Sequence, residues 1–180
     1  MSLLDKAIAA VTPPESEEAR TRARTEAESM APPGSWLSQI LDHHREIEAR
    51  FADVKAATSP EARRTAQKEL ALILTAHSIA EEAAIYPALA ADKQIGHAEL
   101  AYQEQSAAKM EMGLLERLDP MSEDYLDKLE HIRGAVAHHV YSEEGTWFPE
   151  LARDLSATDL DFITQRYAEE FARYSQSEVA

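Results

Sequence analysis

Two stretches of this chain carry residues that can do chemistry together: His77 to Pro87, HSIAEEAAIYP, and His139 to Pro149, HVYSEEGTWFP. Each begins with a histidine and has paired glutamates four and five residues on, an aromatic at the ninth step and a proline at the tenth. Residues four apart on a helix stand one above the other with Cβ atoms roughly 6 Å apart, so His77 with Glu81, and His139 with Glu143, can each aim at one point. An imidazole and a carboxylate converging in this way make half of a metal site. The chain has no cysteine, which excludes thiolate ligands and disulfides and leaves nitrogen and oxygen as the donors.

These pairs need helices to present them, and the pattern supplies helices throughout. Five glycines in 180 residues and the lack of any long alternating run give an all-α reading. Ser2 to Val11 reads as a short amphipathic helix stopped by Pro13 and Pro14, and Glu15 to Met30 as a charged surface helix ended by Pro32, Pro33 and Gly34. Residues 1–33 are therefore expected to form an N-terminal helical arm, packed on the remainder or on a second subunit. From Ser35 the apolar period tightens, with Ile40, His44, Ile47, Phe51 and Val54 on one stripe. Ser59 and Pro60 open a second long helix with the stripe Leu70, Ile73, His77, Glu81, Ala84 and Leu89, which Pro87 is expected to kink or end. A third helix starts near Ile95 and carries His97, Ala101, Glu104, Ala108, Met112, Leu115 and Leu118. A fourth starts near Ser122 and carries Leu129, Ile132, Val136, His139, Glu143 and Trp147. Ser156 and Asp159 open a terminal helix that turns Leu160, Ile163, Tyr167 and Phe171 inward. Short connections between long helices predict an up-down-up-down four-helix bundle over residues 34–155, with residues 156–180 as a C-terminal helix and short tail packed on it.

In such a bundle the polar stripe residues meet inside, where an unpaired carboxylate costs several kcal/mol. No lysine or arginine shares the stripes of Glu81 and Glu143, so a metal ion is the cation expected beside them. Of the adjacent pair His43 and His44, the stripe selects His44 for the axis; His43, His131 and His138 read as packing or supporting residues. The third helix offers two candidates. Reflecting the second helix about a loop near Lys93 points to positions around 105 to 109, and reflecting the fourth about Pro120 points to 97 to 101. His97 is the preferred ligand, with Glu104 as the alternative, because Gln105 is a poor donor.

The charge balance, 33 acidic against 18 basic residues for a net −15, argues against a nucleic-acid backbone or an anionic membrane as partner. No apolar run reaches the length of a membrane span, and Asp5 and Lys6 interrupt the first residues, so a cytoplasmic location is expected. Oligomeric state is left open.

The segment DHHREIEARF and the two HxxxE stretches ending in Tyr86-Pro87 and Phe148-Pro149 resemble the motifs of the hemerythrin-like, or HHE cation-binding, family, over residues 36 to about 152. The resemblance implies a bundle holding a non-haem di-iron centre, with His44, His77, Glu81, His139 and Glu143 as ligands and the two glutamates as bridges. The third helix departs from the family pattern, since EQSAAKMEM puts Gln105 where a histidine falls. His97 then substitutes from two turns away, or one iron keeps an open position, or a single metal binds. A ferritin-like site would need Glu-xx-His repeated on two helices, and it does not occur. An imidazole-rich site favours ferrous iron and a diatomic ligand. The expectation is a protein holding two irons per chain that binds or senses dioxygen, nitric oxide or peroxide, or handles iron. A di-iron oxidoreductase consuming peroxide or dioxygen, and a metal-free helical interaction module, are the alternatives.

Overall fold

The computed structural model describes residues 15–175, and among them there is no strand. The expected helix from Ser2 to Val11 lies outside the described residues. The helices are α1 (Glu17–Ser29), α2 (Trp36–Ala56), α3 (Pro60–Ala80), α4 (Tyr86–Ala91), α5 (Ile95–Leu115), α6 (Glu123–Ser142), α7 (Phe148–Asp154) and α8 (Ala157–Ser175). No helix among them is long and apolar enough to cross a membrane.

The starts follow from local chemistry. Ser16, Ser35, Ser59 and Ser122 each adopt extended backbone, and each hydroxyl accepts the backbone N–H three residues on. Such a cap is worth about 1 kcal/mol. Gly34, with φ of 79°, supplies the left-handed step that turns the chain into α2.

Pro87 and Pro149 do not end their helices. Each is preceded by one wide turn, Glu81–Ile85 and Glu143–Trp147, in which hydrogen bonds run from residue i+5 to i; the Tyr86 N–H reaches the carbonyl of Glu81 and that of Phe148 reaches Glu143. A proline inside a helix removes one amide donor and crowds the carbonyl four residues back. The inserted residue lets the chain resume as α4 and α7 with each proline in the first turn, where no donor is needed.

The four long helices pack side by side, α2 against α3 and α5 against α6, with contacts from α2 to α6 and from α3 to α5 completing the ring. Helix α8 lies along α3 and α2, and α1 lies across the second wide turn and against α2. The arm residues from Glu17 onward are thus packed on the bundle, with Ala23 and Ala27 buried.

The core falls into two apolar clusters. One gathers Trp36, Leu37, Ile40, Ile85, Leu89, Trp147, Phe148 and Ile163. The other gathers Ile47, Phe51, Leu70, Ile73, Met112, Leu115, Leu129 and Ile132. Along each helix, the polar residues come where one cluster gives way to the next: His44 between Ile40 and Ile47, His77 and Glu81 between Ile73 and Ile85, His139 and Glu143 between Val136 and Trp147. The result is a polar layer closed above and below by hydrocarbon.

Candidate metal centre

Four of the expected residues, His44, His77, Glu81 and Glu143, converge, each offering one ligand atom, and these atoms all lie within 4.8 Å of one another. All four are buried. His139 joins from α6, with Nε2 3.1 Å from Oε1 of Glu143. His44 Nε2 stands 3.3 Å from Oε2 of the same glutamate, and His77 Nε2 3.2 Å from Oε2 of Glu81. Glu143 therefore faces His44 with one oxygen and His139 with the other.

Each imidazole is held from outside by its Nδ1. That of His44 donates to Oε1 of Glu144 at 2.9 Å. That of His139 donates to Oε2 of Glu104 at 2.8 Å. That of His77 lies 3.0 Å from the Tyr167 hydroxyl, which is also 2.7 Å from Nδ1 of His43. With Nδ1 so engaged, Nε2 of every ring is the nitrogen turned inward, and a metal would take its lone pair in place of any proton there. A carboxylate or hydroxyl behind the ring fixes tautomer and orientation and makes imidazole a better donor to a metal.

Gln105, 4% exposed, donates from Nε2 to Oε2 of Glu81 at 2.6 Å and to the Tyr86 oxygen at 2.5 Å. The Tyr86 oxygen also lies 3.1 Å from Oε2 of Glu81, 3.0 Å from Oε1 of Glu143 and 3.2 Å from Nε2 of His139.

His97 is not brought to this cluster. It is half-buried, stacked on Trp147 with ring centroids 5.4 Å apart, and its Nδ1 meets Oε1 of Gln94 at 3.1 Å. The reflection about Pro120 that favoured it falls short, since His139 meets Glu104 and not a residue between 97 and 101. Between α5 and α6, the carbonyls of Leu118 and Pro120 are tied to Arg64 and Arg63 at the foot of α3. The reflection from the second helix, pointing to positions around 105 to 109, includes at its near end the level at which Gln105 meets Glu81. Glu104 stands behind His139 instead of facing the centre.

Three contributors escape a reading of the stripes. Tyr86 and Tyr167 sit at apolar positions and look like core; only the requirement that a buried hydroxyl find a partner hints otherwise. Arg24 comes from the arm, with its guanidinium 3.0 Å from Glu144 and 2.9 Å from Glu48. No lysine or arginine belongs to the inner stripes, and α1 brings Arg24 to the glutamate behind His44. His43 stacks on Phe171, meets the Tyr167 hydroxyl through Nδ1 and lies edge-on to the His77 ring, and exposed His138 pairs with Glu15.

The charges in this layer are strongly biased. Burial acts to lower His44, but Glu143 and Glu144 outweigh it and push the pKa up to about 9. Burial likewise opposes His139, which Glu143 and Glu104 push up to about 10. Burial, reinforced by the charge of Glu143, pushes Glu81 up to about 8. Glu143 is also buried, but His139 and His44 hold it far below the carboxylate range. Burial and the charge of His44 keep His77 neutral, well below its ordinary value. Protons on His44, His139 and Glu81 thus occupy lone pairs that a metal would take. Even so, Nε2 of His44, Oε1 of Glu81 and Oε2 of Glu143 are buried without a hydrogen-bond partner. A nitrogen and oxygen donor set with inward lone pairs left over fits a bound cation.

A family model described as the hemerythrin HHE cation binding domain matches residues 37–151. The chain belongs to that family. A DNA nickase of Nostoc sp. (strain PCC 7120 / SAG 25.82 / UTEX 2576) is 26% identical over 131 residues, covering 73% of this chain and 36% of that protein. The chain thus spans about a third of that relative's length. No solved structure matches. The family and the buried histidine and glutamate cluster together point to metal binding.

Proposed function

We propose that this protein holds a non-haem di-iron centre, with His44, His77 and Glu81 around one position, His139 around the other and Glu143 between them. The observation that carries the reading is the common orientation of three imidazoles, each tied back through Nδ1 with Nε2 turned inward. The two oxygens of Glu143, facing His44 and His139, support two positions in place of one.

When bound, iron would supply the redox chemistry through which dioxygen, nitric oxide or peroxide is held or sensed. The chain's own part is to orient donors, exclude bulk water and offer a way in. That way in is a cleft of about 460 Å³ between α3, α5 and α6, lined by Leu74, Ala108, Met112 and Ile132, with His77, Gln105 and His139 also in its wall. Glu104, Lys109, Glu111 and Glu116 also line it, but most of its surface is hydrocarbon, which suits a small uncharged molecule. Binding or sensing a diatomic molecule, or holding iron itself, is the role supported. The activity named for the nickase is not carried over, because a net charge of −15 disfavours a phosphate backbone.

The test is metal analysis after anaerobic ferrous loading, followed by absorption spectra on adding dioxygen or nitric oxide. Two irons per chain and a spectral change with either gas are expected. Failure to retain iron would overturn the reading.

A further inference from the structure

We infer that Tyr86 is itself a ligand, its phenol oxygen completing the metal position on the His139 side where α5 supplies no histidine. This rests on the metal-centre reading above. In an α-helix the residue five positions on is turned about 140° away. The wide turn Glu81–Ile85 removes most of that rotation by adding a residue to the loop, so Tyr86 comes over Glu81 and points where Glu81 points. Without the extra residue, the phenol would leave the layer.

The surroundings of the oxygen are those of a ligand atom. It is fully buried, and three donor atoms from one helix and the two wide turns close on it: Oε2 of Glu81 at 3.1 Å, Oε1 of Glu143 at 3.0 Å and Nε2 of His139 at 3.2 Å. His139 Nε2 and Glu143 Oε1 are themselves 3.1 Å apart. For metal–ligand bonds of about 2.1 Å, neighbouring vertices of an octahedron are about 3.0 Å apart, which is the spacing found here. A phenol carries one proton and cannot serve both carboxylates at once, so lone pairs outnumber protons at this point. Without metal, burial and the charges of Glu143 and Glu81 keep the phenol protonated; the amide of Gln105, donating to its oxygen at 2.5 Å, would support the phenolate once a metal takes the place of that proton. Gln105 then acts as a positioning residue, in the place where a third-helix histidine was expected. A hard anionic oxygen in place of imidazole favours ferric over ferrous iron at that position.

Electron-poor ferric iron bound to phenolate absorbs visible light by charge transfer from the ring, and excitation there enhances tyrosinate vibrations in the Raman spectrum. The full chain, loaded with ferrous iron and oxidised in air, should show both. Tyr86→Phe keeps the ring that packs in the core, and it should lose both features and bind the second iron at least about tenfold more weakly. Tyr125→Phe, which removes a hydroxyl that donates to Gln67 away from the centre, should retain them. The wild-type Raman spectrum carries the test even if a variant folds poorly. Iron-loaded protein without tyrosinate modes, or with modes that survive Tyr86→Phe, overturns the inference while leaving the iron centre standing. Absence of iron in the same samples overturns both.

Discussion

Oε1 of Glu144 is shared between Arg24 at 3.0 Å and Nδ1 of His44 at 2.9 Å, so a residue of the N-terminal arm is one hydrogen bond removed from a ring that faces the centre. Glu144 is 2% exposed, and the arm supplies its cation. Arg24→Ala should leave that buried carboxylate with only His44, destabilising the fold by roughly 1–3 kcal/mol. Weaker orientation of His44 should lower iron affinity about ten- to a hundredfold. Urea titration and competition with a chelator read the two effects separately. Unchanged affinity would show that His44 is held adequately without the arm.

Tyr167 makes the equivalent connection from the other end of the chain. With Nε2 of His77 turned inward, Nδ1–H donates to the phenol oxygen, and the phenol O–H donates in turn to Nδ1 of His43. Tyr167→Phe keeps the ring against Phe171 and His43 but removes the acceptor. The expected cost is about 1 kcal/mol in stability and about ten- to a hundredfold in iron affinity. A chelator competition that finds no difference would show that His77 needs no such support.

How much of this was legible depends on which atoms decide a position. The stripes of α2, α3 and α6 identify His44, His77, Glu81, His139 and Glu143, because helical period alone sets the face and apolar neighbours set the depth. The level on α5 was only half legible: one reflection reached Gln105 and the other did not, and choosing between them depends on how residues 116–122 leave one helix and enter the next. Tyr86 and Tyr167 were not legible: a tyrosine on an apolar stripe has the same pattern whether its hydroxyl meets solvent or a ligand. The wide turns were half-visible, since Pro87 and Pro149 demand an adjustment without saying that it will be an added residue. Arg24 could not be assigned from spacing, because its partner Glu144 is 120 residues away.

His97 and His139 should now separate cleanly. His97→Ala removes a ring stacked on Trp147 and should cost about 1 kcal/mol of stability, with iron content and spectrum unchanged. His139→Ala takes Nε2 from beside Glu143 and should reduce the iron bound from two per chain to one. Loss of iron in His97→Ala would mean that α5 is displaced toward its N-terminal end when the centre fills.

The last expectation concerns pH in the metal-free protein. His44 and His139 are raised in the fold to about 9 and about 10, so the stability they contribute is complete below their unfolded pKa near 6.5 and is lost as pH rises through those values. Glu81 has the same sign: raised to about 8, it favours the fold while protonated, and that advantage declines as pH climbs from about 4.5 to about 8. His77, depressed by burial and His44, works oppositely, but its contribution is already complete above about 6.5. Between pH 7 and 8 all three groups therefore act together, above 8 the two histidines continue alone, and the melting temperature of metal-free protein should fall from pH 7 to about 10. Iron displaces the same protons, and a ligand present at a hundred times its dissociation constant adds about 2.7 kcal/mol. The gap between loaded and metal-free melting temperatures should therefore widen as pH rises, at fixed free iron held by a metal buffer. Calorimetry at pH 7, 8 and 9 on both forms measures it. A gap that stays constant would mean that iron does not take the lone pairs these protons occupy.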